Sequence, residues 1–249
     1  TAFSAQATIS AGEPIVLSNP TPPAPSGPGA VSLEVDDGIA ETSIGDNGQF
    51  VWMNRFTPAA GEFPFQIEQI QVVLGTTNVT VGDPIQLLVY SDTDGDGDPG
   101  TGTALLGEFT DMVQFNDSLT FNVYNLATPI LVNGPGDVLI AVVNRAGSEG
   151  FGYFPAAIDT TASAGRSWVG SYLAGDAPAI PTFPADEQWG TIDSFGFPGN
   201  WVIRASGTTV APPPPPPVTV PTLSYIGLAV LALLLILGTW LVQRRQNRA

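Results

Sequence analysis

An uninterrupted apolar segment near the C-terminus constrains this chain more than any other feature. Residues 223–242 contain no charged side chain, and twelve of these twenty residues are Leu, Ile or Val. A helix of this length spans about 30 Å, the thickness of the hydrocarbon core of a bilayer. The alternative, a buried helix of a soluble core, rarely stays uncharged on every side for so long. The segment therefore predicts one transmembrane helix, which we expect over residues 221–243.

The charges around this segment predict the orientation of the chain. Three arginines follow the segment, whereas all 23 acidic residues precede it. Basic residues beside a membrane-spanning helix stay in the cytoplasm, and amphipathic aromatic rings favour the two headgroup zones. The anchor residues expected on these grounds are Tyr225, Trp240, Arg244, Arg245 and Arg248. We therefore expect a single-pass protein with residues 244–249 as a cytoplasmic tail and the N-terminal part outside the cytoplasm.

The composition excludes most kinds of catalytic chemistry. The 249 residues include 23 Asp and Glu but only 7 Arg, and the sequence has no Lys, His or Cys. These absences remove the usual general base, the thiol nucleophile, the Schiff-base amine and every Cys or His metal site. We therefore expect a protein that is not an enzyme. The formal net charge of −16 repels phosphate groups, so nucleic acid is not an expected partner.

Proline-rich segments predict where the domains begin and end. Residues 1–30 carry six prolines and predict an extended arm. Six consecutive prolines at 212–217 predict a polyproline II rod about 19 Å long, which makes residues 208–220 a stalk. The remaining residues, 31–207, are expected to form one folded domain, because this length is sufficient for a single core.

Short apolar runs between Gly, Pro, Asn and Asp clusters predict an all-β fold for this domain. The predicted strands cover residues 31–36, 49–56, 65–74, 84–90, 104–109, 118–124, 137–144, 166–172 and 200–205. Residues 138–143 are apolar on both faces and predict a central strand, whereas 147–197 predict a long excursion with one strand. Eight or nine such strands favour a jelly-roll-like β-sandwich.

The clearest alternation of side chains lies in the predicted strand at residues 118–124. Leu119, Phe121 and Val123 form one row. The other row consists of Thr120, Asn122 and Tyr124. Because successive side chains of a strand point to opposite faces, the two rows lie on opposite sides of the sheet.

An acidic loop is the sharpest local signal for a binding site. Four carboxylates occupy alternate positions, at Asp92, Asp94, Asp96 and Asp98. They repel one another unless a hard cation neutralises them, and Ca²⁺ takes oxygen ligands. The first half of an EF-hand loop has this pattern, but its twelfth position is Thr103 rather than Glu. A structural calcium site is expected, and a solvated acidic hairpin loop is the alternative.

This loop resembles the DxDxDG turns of secreted bacterial β-sandwich modules. In those turns a Ca²⁺ ion or a water network organises the chain between two strands. The resemblance therefore implies an exported domain in which any bound calcium is structural.

A second resemblance concerns the C-terminus. A short motif precedes the apolar segment and an arginine pair follows it; the motif residues are Val220, Pro221, Thr222 and Leu223. This order resembles the IPTL branch of the PEP-CTERM-type sorting signals of exported bacterial surface proteins. The resemblance implies export, retention in a bacterial cell membrane and cleavage near the motif. A proline at the start of an ordinary membrane anchor is the alternative, since position 220 is Val rather than Ile.

Two weaker signals concern the last third of the domain. Asp186 and Glu187 lie beside Trp189, but adjacent residues of a strand face opposite ways and make a poor catalytic pair. Aromatic residues crowd this region and predict either core or a contact surface: Trp168, Tyr172, Phe183, Trp189, Phe195, Phe197 and Trp201.

Two functions are consistent with these features. The favoured one is a non-catalytic accessory subunit that packs its β-sandwich and helix on a larger membrane complex, for example a bioenergetic or photosynthetic one. The alternative is a sorted bacterial surface protein whose calcium-stabilised sandwich binds carbohydrate or matrix. The two differ in the fate of the helix, because a subunit keeps its anchor whereas sorting removes it near Pro221.

Overall fold

The computed structural model describes residues 9–12, 29–46, 50–144, 153–172, 183, 189–211 and 224–247. Contacts divide the chain into two units, Thr1–Ala211 and Pro212–Ala249. The first unit contains fourteen described strands: β1 (Ser10–Ala11), β2 (Ala30–Leu33), β3 (Thr42–Asp46), β4 (Phe50–Phe56), β5 (Phe65–Val73), β6 (Pro84–Asp92), β7 (Thr103–Met112), β8 (Phe121–Val132), β9 (Asp137–Asn144), β10 (Tyr153–Asp159), β11 (Ser167–Ser171), β12 (Trp189–Thr191), β13 (Asn200–Trp201) and β14 (Ile203–Thr209).

The strands form three antiparallel sheets, and two of them make a jelly roll. The six-stranded sheet has the order β12-β11-β4-β9-β6-β7, and a four-stranded sheet has the order β2-β14-β5-β8. With β1, β3 and β10 to β13 set aside, eight strands remain. Numbered one to eight along the chain, these strands have the order 1-8-3-6 in the four-stranded sheet and 2-7-4-5 in the six-stranded sheet. This is the double-sheet jelly-roll arrangement, so the predicted all-β sandwich is confirmed.

The central strand of the six-stranded sheet separates two apolar clusters. Val138, Ile140 and Val142 of β9 belong to the main core, which lies between the two jelly-roll sheets. Leu139 and Ala141 pack on the opposite face in a second cluster. All five side chains are fully buried. The prediction of a central strand from a run that is apolar on both faces is therefore confirmed.

In β8 the more polar row of side chains faces the main core. Tyr124 is in the main core, and Asn122 of the same polar row is fully buried. The Asn122 amide accepts hydrogen bonds from the Gln114 and Phe115 backbone N–H groups and donates to the carbonyls of Phe115 and Val72. A buried amide is tolerated here because its polar atoms are bonded.

The opposite row of β8 packs against a small separate cluster. Phe121 belongs to this cluster, and the Arg204 guanidinium lies 5.3 Å from the centre of its ring. The strand begins at Phe121 rather than at residue 118, because Ser118 adopts a left-handed conformation and Asp117 accepts the N–H groups of Leu119 and Thr120. The turn therefore includes three residues that alternation alone places in the strand.

The third sheet corrects the prediction of a strand-poor excursion at residues 147–197. This region contributes β10, β11, β12 and a short 3₁₀ turn at Ile192–Phe195. β10 pairs with β3 and β13, and the whole sheet has the order β1-β3-β10-β13. The strands β3 and β10 escape a search for β-branched runs because they contain Gly45, Pro155 and two alanines.

The strands extend past two of the expected domain boundaries. β1 pairs with β3 although it lies within the expected arm, residues 1–30, and β14 continues to Thr209 rather than ending at 207. Residues 212–223, which include the expected polyproline rod and the sorting motif, lie outside the described residues, as does Arg248.

The second unit contains the helix α1 (Tyr225–Gln246), which begins and ends at identifiable caps. The Ser224 hydroxyl accepts the Gly227 N–H, and Arg244 and Arg245 occupy the last turn, where positive charge complements the helix dipole. The 22 residues span about 33 Å, and no side chain of the helix is buried. The described residues thus include one apolar helix long enough to cross a membrane, as predicted, although it extends to Gln246 rather than ending at 243.

Candidate cation site and surrounding surfaces

The acidic loop joins two neighbouring strands at one end of the six-stranded sheet. β6 ends at Asp92, residues 93–102 form the loop, and β7 begins at Thr103. Asp92 stands opposite Asp137, the first residue of β9. The loop curls because Gly95 and Gly97 adopt positive φ angles of 75° and 83°, which other residues adopt only under strain. The fold therefore fixes Asp92 inside the sheet and leaves the following carboxylates in a tight turn.

Three of the four predicted carboxylates come together in this turn. Ligand oxygens of Asp92, Asp94 and Asp96 all lie within 4.8 Å of one another. Asp98 is not in this group; its Oδ1 accepts the Gly100 N–H at 2.8 Å. The predicted set of four is thus divided by the structure into a cluster of three and a separate turn residue.

Asp92 is the unusual member of the cluster. Only 1% of the residue is exposed, and neither carboxylate oxygen has a hydrogen-bond partner among the described residues. Burial raises the pKa of Asp92 to about 6, and the charges of Asp94, Asp137 and Asp96 add to the shift. Burying a carboxylate without a partner costs free energy, and a positive charge beside it would offset this cost.

The exposed members of the cluster are held by the loop itself. Asp94 accepts the Asp96 N–H at 3.2 Å, and Asp96 accepts the Asp98 N–H at 2.7 Å. The Thr101 hydroxyl contacts Oδ2 of Asp94 at 3.2 Å and Oδ2 of Asp96 at 2.9 Å. Chiefly because of the bond from the Asp98 N–H, the pKa of Asp96 is lowered. The sequence analysis did not single out Thr101, which adds a hydroxyl oxygen to the carboxylates of the cluster.

An arginine close to the cluster, Arg55, is already engaged. Arg55 forms an ion pair with Asp137, which also accepts a hydrogen bond from the Thr57 hydroxyl. Its guanidinium also lies close to Gly97, 3.3 Å from the position a Cβ atom would take there. Arg55 therefore compensates Asp137 directly, whereas no arginine of the described ranges forms a hydrogen bond with Asp92.

A stacked aromatic cluster covers the outer face of the six-stranded sheet beside this loop. Trp189 stacks on Phe183 at 4.6 Å and on Trp168 at 5.4 Å between ring centres. Tyr90 of β6 contacts Phe183 at 5.3 Å. Trp52 and Trp201 are fully buried in the main core. The crowded aromatic residues of this region therefore pack largely on one another and in the core, and Asp186 and Glu187 lie outside the described residues.

A groove lies where both jelly-roll sheets end. β7 and β8 are the last strands of their sheets, and residues 106–109 and 126–131 enclose a groove of about 490 Å³. Leu106 and Leu131 line it and are 36% and 46% exposed, and Glu108 adds one charge. Free strand edges with exposed apolar side chains are sites where another chain can pair.

Polar and aromatic side chains interact near the C-terminal end of the helix. The Arg244 guanidinium lies 5.0 Å from the centre of the Trp240 ring, and the Thr239 hydroxyl donates to carbonyls of the preceding turn. Tyr225 is 93% exposed at the first position of the helix. Tyr225 and Trp240 thus lie towards opposite ends of the helix, and their role as interfacial anchors stays a prediction.

No family model matches the chain, and no curated protein sequence matches it. Among solved structures, the chain is similar to the cysteine protease and lectin-like domains of Cwp84, a surface layer associated protein of Clostridium difficile. The identity is 13%, the TM-score is 0.51, and the match covers 74% of this chain and 37% of the other. A structure of clostridial Cwp84 after propeptide cleavage matches at 12% identity and a TM-score of 0.49, over 74% of this chain and 41% of that one. At such identity the similarity concerns the fold alone.

Proposed function

We propose that this chain is a non-catalytic, membrane-anchored accessory subunit of a larger membrane complex. Its jelly-roll domain lies outside the cytoplasm and contacts a partner subunit through the groove between β7 and β8. The observation that carries the proposal is the combination of an apolar C-terminal helix and of two strand edges, those of β7 and β8, that pair with no other described strand. The arginines at the end of the helix support a cytoplasmic C-terminus by the positive-inside rule.

The chemistry of the groove supports an extended segment of another protein as its occupant. Alternate residues along the ten of β7 direct backbone groups to the edge, because the strand pairs with β6 on its other side. Leu106 offers an apolar contact in the groove, and Leu105 and Met112 are exposed elsewhere on the same strand. A second copy of this chain is disfavoured because each copy carries a net charge of −16. Glu108 in the groove and Asp111 on the same strand favour a segment that carries basic residues.

The experiment is gentle detergent extraction of the full chain from its native membrane, followed by sizing and intact-mass analysis. We expect the full-length chain to migrate with a large complex. Leu131→Glu places a charge in the groove and should release the chain, because a desolvated carboxylate opposes docking. Val81→Glu is the matched control, since Val81 is also exposed, at 55%, and does not line the groove. Migration of the wild-type chain alone, or equal retention of both variants, would contradict the proposal.

A sorted bacterial surface protein that binds carbohydrate or matrix is the second candidate. The aromatic cluster favours it, because Trp168 and Trp189 are only half-buried and exposed rings can stack on sugars. Their indole N–H groups are buried and have no hydrogen-bond partner among the described residues. The ring faces, however, are occupied by one another and by Phe183. In the extraction experiment this candidate predicts a chain that ends near residues 219–224 and migrates alone.

A further inference from the structure

Four buried carboxylates in the described part of the first unit can be compared directly: Asp36, Asp46, Asp92 and Asp159. Asp36 is paired with Arg204, Asp46 accepts the Ser171 hydroxyl, and Asp159 accepts the backbone N–H groups of Asp37 and Thr161. Asp92 differs from the other three, since both of its oxygens are buried and no described residue forms a hydrogen bond with them. Buried polar groups are nearly always satisfied, so the missing partner requires an explanation.

The surroundings of Asp92 identify the kind of partner. Carboxylate oxygens of Asp94 and Asp96 lie within 4.8 Å of an oxygen of Asp92, and Asp137 stands opposite Asp92 in the neighbouring strand, so acidic groups surround it. Arg55, the basic residue beside them, is paired with Asp137. No arginine among the described residues bonds to Asp92, which leaves room for a cation from solution.

The oxygen positions indicate a hard divalent cation. Oxygens around Ca²⁺ lie about 2.3–2.6 Å from the ion, so two ligands of one ion are at most about 5 Å apart. The oxygens of Asp92, Asp94 and Asp96 fulfil this condition with mutual distances within 4.8 Å. Thr101 and water can complete a flexible shell of six to eight oxygens, whereas Mg²⁺ demands a tighter octahedron.

We propose that the loop between β6 and β7 binds one Ca²⁺ ion through the carboxylates of Asp92, Asp94 and Asp96, with Asp98 outside the coordination shell. Asp92 supplies the buried ligand at the end of a sheet strand, and the two exposed carboxylates close over the ion from the turn. The ion thereby joins the end of β6 to the loop that leads to β7. This site is independent of the groove and of the proposed function.

The experiment uses the full-length chain in detergent, stripped with a chelator and titrated with CaCl₂ or MgCl₂ alone. Calorimetry should give one Ca²⁺ per chain, and Mg²⁺ should bind at least tenfold more weakly. At one hundred times the dissociation constant, Ca²⁺ should raise the melting temperature of the domain by about 5–10 °C. The combined variant Asp94→Asn, Asp96→Asn should weaken binding at least 100-fold, whereas Asp98→Asn should change it less than twofold.

Asp92→Asn separates a cation ligand from an ordinary structural residue. Without calcium this variant should melt above the wild-type chain, because the amide removes an unpaired buried charge. With saturating calcium it should melt below the wild-type chain, because the buried ligand is lost. Absence of calcium binding by the wild-type chain, or an equal loss of binding in Asp98→Asn, would overturn the proposal. If Asp92→Asn does not fold, the combined variant Asp94→Asn, Asp96→Asn still tests the proposal.

Discussion

Asn54 provides a quantitative test of how the sheets are held together. This residue of β4 is fully buried, and its Nδ2 donates to the carbonyls of Trp201 at 2.7 Å and Ile203 at 3.1 Å. Its Oδ1 accepts the Ser167 hydroxyl at 2.7 Å. The Ser167 oxygen in turn accepts the Trp201 N–H at 3.0 Å. One amide therefore joins the six-stranded sheet to β13 and β14, which belong to the two other sheets.

Replacing Asn54 by Ala should destabilise the domain by about 4 kcal/mol. Each of the three hydrogen bonds is worth about 1 kcal/mol net, and each buried group left unsatisfied costs about 1–3 kcal/mol, reduced where the site relaxes. For a domain of this size, that loss corresponds to a fall in melting temperature of about 8–16 °C. Thermal unfolding of the full chain in detergent, followed by circular dichroism, measures the change.

Two further variants separate hydrogen bonding from packing. Asn54→Asp keeps the volume but replaces the donor by an acceptor that faces two carbonyls, so it should be at least as damaging as Ala. Asn125→Ala is the control, because Asn125 is exposed and its bond from Gln69 is accessible to water. The control should change the free energy of unfolding by less than about 0.5 kcal/mol. A mild effect of Asn54→Asp, or a wild-type melting temperature for Asn54→Ala, would refute the reasoning.

Two other variants test an ion pair and a close backbone approach. Arg204→Leu should cost about 3–5 kcal/mol at pH 8, because it leaves the buried Asp36 carboxylate uncompensated. Burial already raises the pKa of Asp36, so protonation favours the folded state; the loss should shrink at pH 4.5, and denaturant titrations at both pH values check this sign. Gly207→Ala should lower the melting temperature by at least about 5 °C, since its Cβ would lie 1.8 Å from the Gln66 carbonyl oxygen. Gly238→Ala has open space around it and should leave the melting temperature of the domain unchanged; equal effects of the two alanines would contradict the steric argument.

The sequence predicts the jelly roll because its main strands follow simple rules of burial. β9 was predicted with the observed bounds, since a run apolar on both faces requires cover on both sides. β3 and β10 were missed because Gly, Pro and Ala weaken the local strand signal, and their pairing is decided by partners distant in the chain. Asn122 shows the same limit, because only the fold reveals that four backbone groups surround its amide.

The sequence predicts the type of site, a cation-binding loop, but not which of the four carboxylates come together. Alternating carboxylates indicate a cation loop, yet the spacing treats Asp92 and Asp98 as equivalent. Their difference arises from the position of Asp92 at the end of a strand inside the sheet and of Asp98 in an exposed turn. The neighbour of Asp92 across the ladder, Asp137, is 45 positions away in sequence and is brought close only by the pairing of β6 with β9.

The position of β14 has a mechanical consequence for an anchored protein. β14 is the last described strand before the second unit, and it lies between β2 and β5 rather than at an edge. Its ladder with β5 extends from Ile203 to Thr209, and a second ladder joins it to β2. Tension applied to Thr209 along the strand would load the transverse hydrogen bonds of both ladders together, in shear, instead of opening them one after another. The last described strand before the helix is therefore hydrogen-bonded to a neighbour on each side.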